Sequence, residues 1–157
     1  MLFQDAYGTV KEVKDEGCYI TCFCNAFEIQ RASGYLSQLD LNEYYYSALV
    51  TGAINKDCFV NSAVNFCANI LHWTSVIAIK KILDPDYVPR ENEIEILLMR
   101  RYDPGSSHAD KEGFVYHFVL RRRSGQIIDP IQQGSLTAQL GYVHTKRIIV
   151  LNEVSKV

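Results

Sequence analysis

The pattern of hydrophobic and polar positions changes period part-way along the chain. From Cys18 to about Leu83 the apolar residues recur at helical spacing, whereas several later segments show the character of β-strands. A loop with two prolines, LDPDYVPRENE, separates the two halves. Three or four helices followed by about four strands, with little alternation between them, predict an α+β fold in which N-terminal helices pack on a C-terminal antiparallel sheet.

The ends of these elements carry local signals. Two predicted helices, CYITCFCNAFEIQRASG and LNEYYYSALVTG, each end at a glycine suited to a C-cap, and NSAVNFCANILHW opens with an Asn-Ser pair suited to an N-cap. The predicted strands are IEILLMRRY, GFVYHFVLRRR, QIIDPI and HTKRIIVLNEV.

Length and composition restrict the classes of function. The 157 residues suit one domain, residues 1–157, which buries about two-thirds of its unfolded surface without needing disulfides. With a net charge of −2, the chain has no general attraction for nucleic acid or anionic membranes. The N-terminus lacks the basic start and apolar run of a signal peptide, and apolar runs elsewhere are too short to span a bilayer. We therefore expect a cytoplasmic protein with no membrane or nucleic-acid partner.

Three of the five cysteines, Cys18, Cys22 and Cys24, lie within seven residues. An odd number of cysteines in an intracellular domain of this size favours reduced thiols, and each is most simply explained as a small buried hydrophobe. Cys18 differs because it follows Gly17 where a loop gives way to a helix. Unpaired backbone N–H groups and the positive end of the helix dipole favour the thiolate of a cysteine at such a position. Cys22 and Cys24 lie deeper in the helix and are interpreted as structural.

A nucleophilic thiol needs a base within reach and a group that orients the base. Of the four histidines, His72, His108 and His144 are interpreted as surface, loop or half-buried residues. His117 lies inside the apolar strand GFVYHFVL, where a polar ring needs a hydrogen-bond partner.

The sequence HFVLRRRSGQIIDP, which includes His117, predicts a β-hairpin and supplies that partner. If residues 123–125 form the loop, with the glycine in a left-handed conformation, Arg122 pairs with Gln126. His117 and Asp129 then become diagonal neighbours on one sheet face, about 7–8 Å apart at the backbone. A two-residue loop would place them on opposite faces, so the hypothesis depends on this turn.

GCYITC at a helix start, YHFVL on a strand and GQIIDP on the next strand together resemble the papain-like cysteine peptidases, especially the branch of bacteriocin-processing peptidases. The resemblance implies a papain-like fold in which Cys18 is the nucleophile, His117 the general base and Asp129 the residue that orients it. It implies a cysteine peptidase or amidase acting on a peptide or protein substrate, with no cofactor and no metal. The middle section EYYYSALVTGAINKDCFVNSAVNF also resembles a spirochaete family of papain-like proteins often carried on plasmids or prophages.

The sequence departs from that family at the position of the residue that stabilises the oxyanion. The family supplies a glutamine about six residues before the nucleophile, and that position here is Glu12. Three alternatives remain for stabilising the oxyanion. They are Gln4, if the chain doubles back, a cation at Lys11 or Lys14, or the Cys18 amide N–H alone. A second departure is Tyr19-Ile20, which replaces the family's Gly-Pro after the nucleophile.

Three other functions remain open. Cys18, Cys22, Cys24 and a histidine are possible zinc ligands, although the chain has no second pair of closely spaced cysteines. MRRY and LRRRSG are possible nucleic-acid contacts, although alternation along a strand divides their arginines between two faces. The strongest rival to an enzyme is an inactive papain-like protein with a structural or partner-binding role.

Overall fold

A computed structural model of the chain describes residues 1–32 and 34–157. The helices are α1 (Lys11–Glu16), α2 (Cys18–Arg31), α3 (Gln38–Thr51), α4 (Ala63–Asn65), which continues into a π-helical turn (Phe66–Ile70), and α5 (Leu136–Leu140). The strands are β1 (Val76–Ile82), β2 (Glu93–Tyr102), β3 (Phe114–Arg121), β4 (Ile127–Ile128) and β5 (Tyr142–Leu151). All pairings are antiparallel in the order β1-β5-β2-β3-β4, so the predicted α+β class with an antiparallel sheet is confirmed.

The prediction of helix as far as Leu83 was wrong for β1. The segment VIAIKKI pairs with β5 at one edge of the sheet, which raises the number of strands in the described residues to five. Its apolar and polar residues do not alternate strictly, and the register shifts by one residue between Val76 and Ala78. A short apolar run of this kind fits helix and strand equally well by periodicity.

Two short helices were also missed by the sequence interpretation. Helix α1 spans six residues and buries a single side chain, Val13, so it has no repeating apolar face to detect. Helix α5 spans five residues, and Ser135 caps its N-terminus by accepting a hydrogen bond from the Ala138 N–H. Both helices lie close to the chemistry described below.

The sheet is covered on both faces, and alternate residues of β2 supply the two cores. Ile94 and Ile96 face a large core that includes the buried side of α2, where Ile20 and Phe23 are fully buried. Leu97, which follows Ile96 and faces the other side of the sheet, contributes to a smaller core beneath α5. Helix α2 therefore packs beside β3, and this contact fixes where the first turn of α2 lies.

Gly17 joins α1 to α2 without a loop, although a loop was expected before Cys18. Its N–H donates to Val13 O at 2.8 Å and completes α1, while its carbonyl accepts from Thr21 N at 3.0 Å and begins α2. A Cβ on this residue would lie 2.4 Å from Val13 O, closer than real Cβ atoms approach backbone oxygen. A glycine is therefore needed for the sharp change of direction that presents Cys18 at the start of a helix.

None of the helices in the described residues is both long and apolar enough to cross a membrane. All five cysteines are free thiols.

Candidate active site

The β3–β4 hairpin has the predicted register. Leu120 pairs with Ile128, and beyond this pair the Arg122 N–H donates to Gln126 O at 2.8 Å. Gly125 has φ +90°, as the three-residue loop requires. The prediction that His117 and the aspartate share one sheet face is therefore confirmed.

His117 and Asp129 form a direct hydrogen bond. His117 Nε2 lies 2.7 Å from Asp129 Oδ1, and the histidine is only 8% exposed. The same carboxylate accepts two backbone N–H groups, from Ile131 to Oδ1 and from Ser135 to Oδ2, each at 2.9 Å. Two backbone donors therefore fix the orientation in which the carboxylate meets the imidazole.

The environment favours the charged form of both partners. Burial lowers the pKa of His117, but the hydrogen bond to Asp129 and the nearby Cys18 sulfur outweigh it and raise the pKa to about 9. Burial likewise raises the pKa of Asp129, but the hydrogen bonds from His117 and the two backbone N–H groups outweigh it and lower the pKa below its usual value. The pair thus combines a carboxylate with an imidazole of raised basicity.

Cys18 begins α2 beside the part of β3 that pairs with β2 but not with β4. Strand β4 pairs only with Leu120 and Arg121, so it leaves the half of β3 that carries His117 open to the helix N-terminus. The Cys18 thiol lies close enough to the imidazole to raise the pKa of His117. Because Nε2 is occupied by Asp129, Nδ1 is the ring nitrogen that can accept the thiol proton.

Exposure and burial separate Cys18 from the other cysteines. It is partly exposed, whereas Cys22, Cys24, Cys58 and Cys67 are buried. Burial raises the pKa of Cys58 and Cys67 to about 12 and that of Cys22 and Cys24 well above its usual value. These four thiols are therefore poor nucleophiles at neutral pH.

Cys18 and His117 line an open cleft of about 650 Å³. One wall is the end of α1 at residues 14–16, and the facing wall is residues 107–109 of the β2–β3 loop. A second cavity, of about 640 Å³, lies at the far end of β3 beside Lys146 and includes none of the three residues Cys18, His117 and Asp129. We therefore place the candidate site in the first cleft.

Gln4 lies in this cleft with Cys18, whereas Glu12 is not among the residues that line it. The N-terminal segment doubles back so that Gln4 N donates to Pro130 O at 2.8 Å, next to Asp129 in the chain. Gln4 Nε2 donates one hydrogen to Lys14 O at 2.9 Å, and its second hydrogen remains for another acceptor. Of the alternatives raised by the sequence, Gln4 and Lys14 line the cleft.

A family model described as "Protein of unknown function, DUF261" matches residues 1–151 of the chain. The chain belongs to the DUF261 family. Comparison with curated proteins and with solved structures gives no match. The range that matches the DUF261 model contains Gln4, Cys18, His117 and Asp129.

Some residues of the candidate site were not identified from the sequence. His108 was interpreted as a loop residue, but it lines the cleft with Ser107 because the β2–β3 connection folds over it. Ser135 was not singled out, yet its N–H holds Asp129. Neither residue carries a local signal, because each reaches the site through the path of a loop.

The possible zinc ligands Cys18, Cys22 and Cys24 do not form a metal site with a histidine among the described residues. Across residues 1–32 and 34–157, no group of three or more His, Cys, Asp or Glu side chains is arranged to hold a metal ion.

Proposed function

We propose that this protein is a papain-like cysteine peptidase or amidase that cleaves a peptide or related amide bond through a thioester intermediate. The observation that carries the proposal is that Cys18 and His117 line the same open cleft, with His117 hydrogen-bonded to Asp129. The order of these residues along the chain supports a papain-like fold. So does their placement at a helix start, on a strand and after the next strand.

In the first half of the reaction, the enzyme is acylated. Because its pKa of about 9 keeps His117 protonated at neutral pH, Nδ1 already holds the proton given up by Cys18 when sulfur attacks the carbonyl carbon of the substrate. The C–N bond then breaks, and the imidazolium returns the proton to the departing amine. The acyl group of the substrate remains on Cys18 as a thioester.

In the second half, water enters the site vacated by the amine. His117 takes a proton from water as its oxygen attacks the thioester carbon, and the C–S bond breaks. The proton passes to sulfur, so the products are a carboxylic acid and the restored thiol. Asp129 keeps the Nε2–H tautomer in place throughout, which leaves Nδ1 free for both proton transfers.

Both halves pass through a tetrahedral oxyanion, which needs hydrogen-bond donors. We assign one donor to the backbone N–H of Cys18 and the other to the second Nε2 hydrogen of Gln4, whose first hydrogen is held by Lys14 O. Glu12 stands where papain-like peptidases have their glutamine, but it then no longer counts against activity, because Gln4 reaches the cleft from elsewhere in the chain.

Replacing Gln4 by alanine is expected to lower kcat by about 10²–10³-fold with little change in KM, because its donor acts on the oxyanion and not on the bound substrate. Kinetics on a quenched-fluorescence peptide substrate would measure both constants. The exposed Glu12, changed to glutamine, provides the control and should leave kcat within about twofold. A normal kcat in folded Gln4→Ala would remove Gln4 from this role.

The nucleophile can be tested without knowing the substrate. We expect iodoacetamide at pH 7 to modify Cys18 at least about tenfold faster than any other cysteine, because Cys18 alone combines partial exposure with an imidazole partner. Peptide mapping over a time course would give the rate for each thiol, and His117→Gln should slow the modification of Cys18. Uniform modification, or faster reaction of Cys22 or Cys24, would falsify the assignment.

A further inference from the structure

One face of the sheet beside the cleft carries cations and aromatic rings in register. Arg100 lies opposite Tyr116, and Lys81 lies opposite Arg147. Tyr116 lies 5.9 Å from the His144 ring, measured between ring centroids. We call this surface the basic–aromatic face, defined by Lys81, Arg100, Tyr116, Phe118, His144 and Arg147.

The arginines of this face are held against rings. The Arg100 guanidinium lies 3.4 Å from the centre of the Phe114 ring, and the Arg147 guanidinium lies 5.7 Å from the centre of the Phe118 ring. A guanidinium held in this way stays charged and can still donate hydrogen bonds at its edge to a carboxylate. The rings thus fix the cations in place without neutralising them.

The face has more positive than negative charge. Arg100 has a carboxylate neighbour, Glu112, at 3.8 Å, but this glutamate side chain is 78% exposed. Lys81 and Arg147 form no ion pair with any residue that the structure describes. The chain as a whole has a net charge of −2, so the positive excess is local.

The pKa of His144 gives a second indication that these charges converge. Burial lowers this pKa first, and the positive charges of Arg100, Lys81 and Arg147 lower it further. Three cations therefore act on the His144 imidazole: Lys81 from β1, Arg100 from β2 and Arg147 from its own strand, β5.

The basic–aromatic face meets the cleft at Tyr116. Tyr19, which follows the nucleophile, stacks on Phe118 with ring centres 4.3 Å apart. Tyr116 belongs to the face and also lines the cleft. A peptide whose scissile bond lies at Cys18 can therefore extend past Tyr116 towards Arg100.

We propose that the basic–aromatic face binds an acidic segment of the peptide substrate and so selects substrates that carry carboxylates beside the cleaved bond. This inference rests on the proposed function, because it takes the cleft at Cys18 as the site of cleavage. We favour a peptide over nucleic acid because Tyr116 of the face also lines the cleft in which we place cleavage of an amide bond.

Binding to a variant without the nucleophile tests the inference. In Cys18→Ala protein, fluorescence anisotropy would compare two fluorescein-labelled decapeptides that differ only in glutamate or glutamine at alternate positions. We expect the glutamate peptide to bind at least about tenfold more tightly, with a preference that falls as salt is added. Combining Lys81→Gln with Arg147→Gln should remove about five- to tenfold of that preference.

Lys80→Gln provides the matched control. Lys80 precedes Lys81 on the same strand, is also exposed and points to the opposite face of the sheet, so the loss of one charge there, as in Lys81→Gln alone, should leave the preference unchanged. Thermal melts would verify folding, and Lys81→Gln alone serves if the Arg147 change perturbs the sheet.

Equal affinity for the two peptides, or an equal loss in Lys80→Gln, would overturn the inference. So would tighter binding of a single-stranded oligonucleotide that depends on the same cations. Because the measurement needs no nucleophile, failure of Cys18 to react in the alkylation experiment would count against hydrolysis alone. A missing glutamate preference would count against the face alone.

Discussion

Replacing Cys18 by alanine should abolish hydrolysis of a quenched-fluorescence peptide library, a loss of at least about 10⁴-fold. The covalent step has no other thiol to use, because the remaining four cysteines are buried. His117→Ala should lose activity to a similar extent, since the thiol then has no partner to take its proton. Effects of residues that act together do not add, so the double variant should be no slower than either single variant.

Cys22→Ala is the matched control for this experiment. Cys22 lies one helical turn after Cys18 and is fully buried, so the same substitution tests the effect of losing a thiol from α2 without removing the nucleophile. It should retain turnover, with a small loss of stability from the cavity that it leaves.

Turnover that survives in Cys18→Ala would exclude the thioester mechanism. A folded wild-type protein that hydrolyses no library member, and whose Cys18 reacts no faster than the buried thiols, would favour the partner-binding alternative. The two outcomes differ because the first leaves an enzyme with another nucleophile and the second leaves no enzyme.

The part of the candidate site that could be predicted from the sequence depends on short-range structure. The register of the hairpin between β3 and β4 is set by the turn at Ser124-Gly125. Because side chains alternate between the two faces of a strand, that register places His117 and Asp129 without knowledge of the rest of the fold. The start of α2 is similarly local, because Gly17 is required by its close approach to Val13.

The other parts of the site depend on contacts between distant segments. Gln4 reaches the cleft only because its backbone pairs with Pro130, more than 120 residues later in the chain. Nothing near residue 4 in the sequence indicates this pairing. The sequence therefore offered Gln4 only as one of several alternatives, and tertiary structure was needed to place it beside Cys18.

Edge elements were the least predictable part of the fold. β1 has only one strand neighbour, and its burial follows no regular pattern, so neither face of the strand imposes an alternation that can be recognised. The central strand β2 is clearer because it separates two cores, with Ile96 on one side and Leu97 on the other.

Asp129→Asn is expected to lower turnover by about 10²–10⁴-fold while the protein stays folded. Asp129 accepts three hydrogen bonds through two oxygens, whereas asparagine has one oxygen and an NH₂ group. If the asparagine oxygen faces Ser135 N, its NH₂ faces His117 Nε2 and the imidazole must carry its proton on Nδ1. That tautomer cannot accept the thiol proton of Cys18.

If the asparagine instead keeps its oxygen towards His117, the tautomer survives but the negative charge that stabilises the imidazolium is lost. Either orientation lowers the pKa of His117 from about 9 towards its ordinary value of 6.5. The pH above which turnover falls to half should therefore move downward in Asp129→Asn, which a purely structural role of Asp129 would not cause. A pH–rate profile of wild type and variant measures this shift.

Asp5→Asn is the matched control for the same loop. Asp5 Oδ1 accepts a hydrogen bond from Gln132 N at 3.0 Å, so this change disturbs the segment after β4 without contacting His117. It should leave both turnover and the pH–rate profile unchanged, within about twofold. An equal loss in both variants would mean that Asp129 acts only by holding the loop.

The pH dependence of stability gives the same pair a second test, with a defined sign. His117 has a raised pKa in the folded state, so its pairing contributes stability that is complete below pH 6.5 and is lost as the pH rises through about 9. Urea denaturation of the wild type should show a decrease in the free energy of unfolding of the order of 1–3 kcal/mol across this range. Asp129→Asn should show a smaller decrease, because the imidazolium no longer has its carboxylate partner. If Asp129→Asn shows the full wild-type decrease, the decrease does not come from the His117–Asp129 pair. That result would exclude the charged His117–Asp129 interaction on which the proposed mechanism depends.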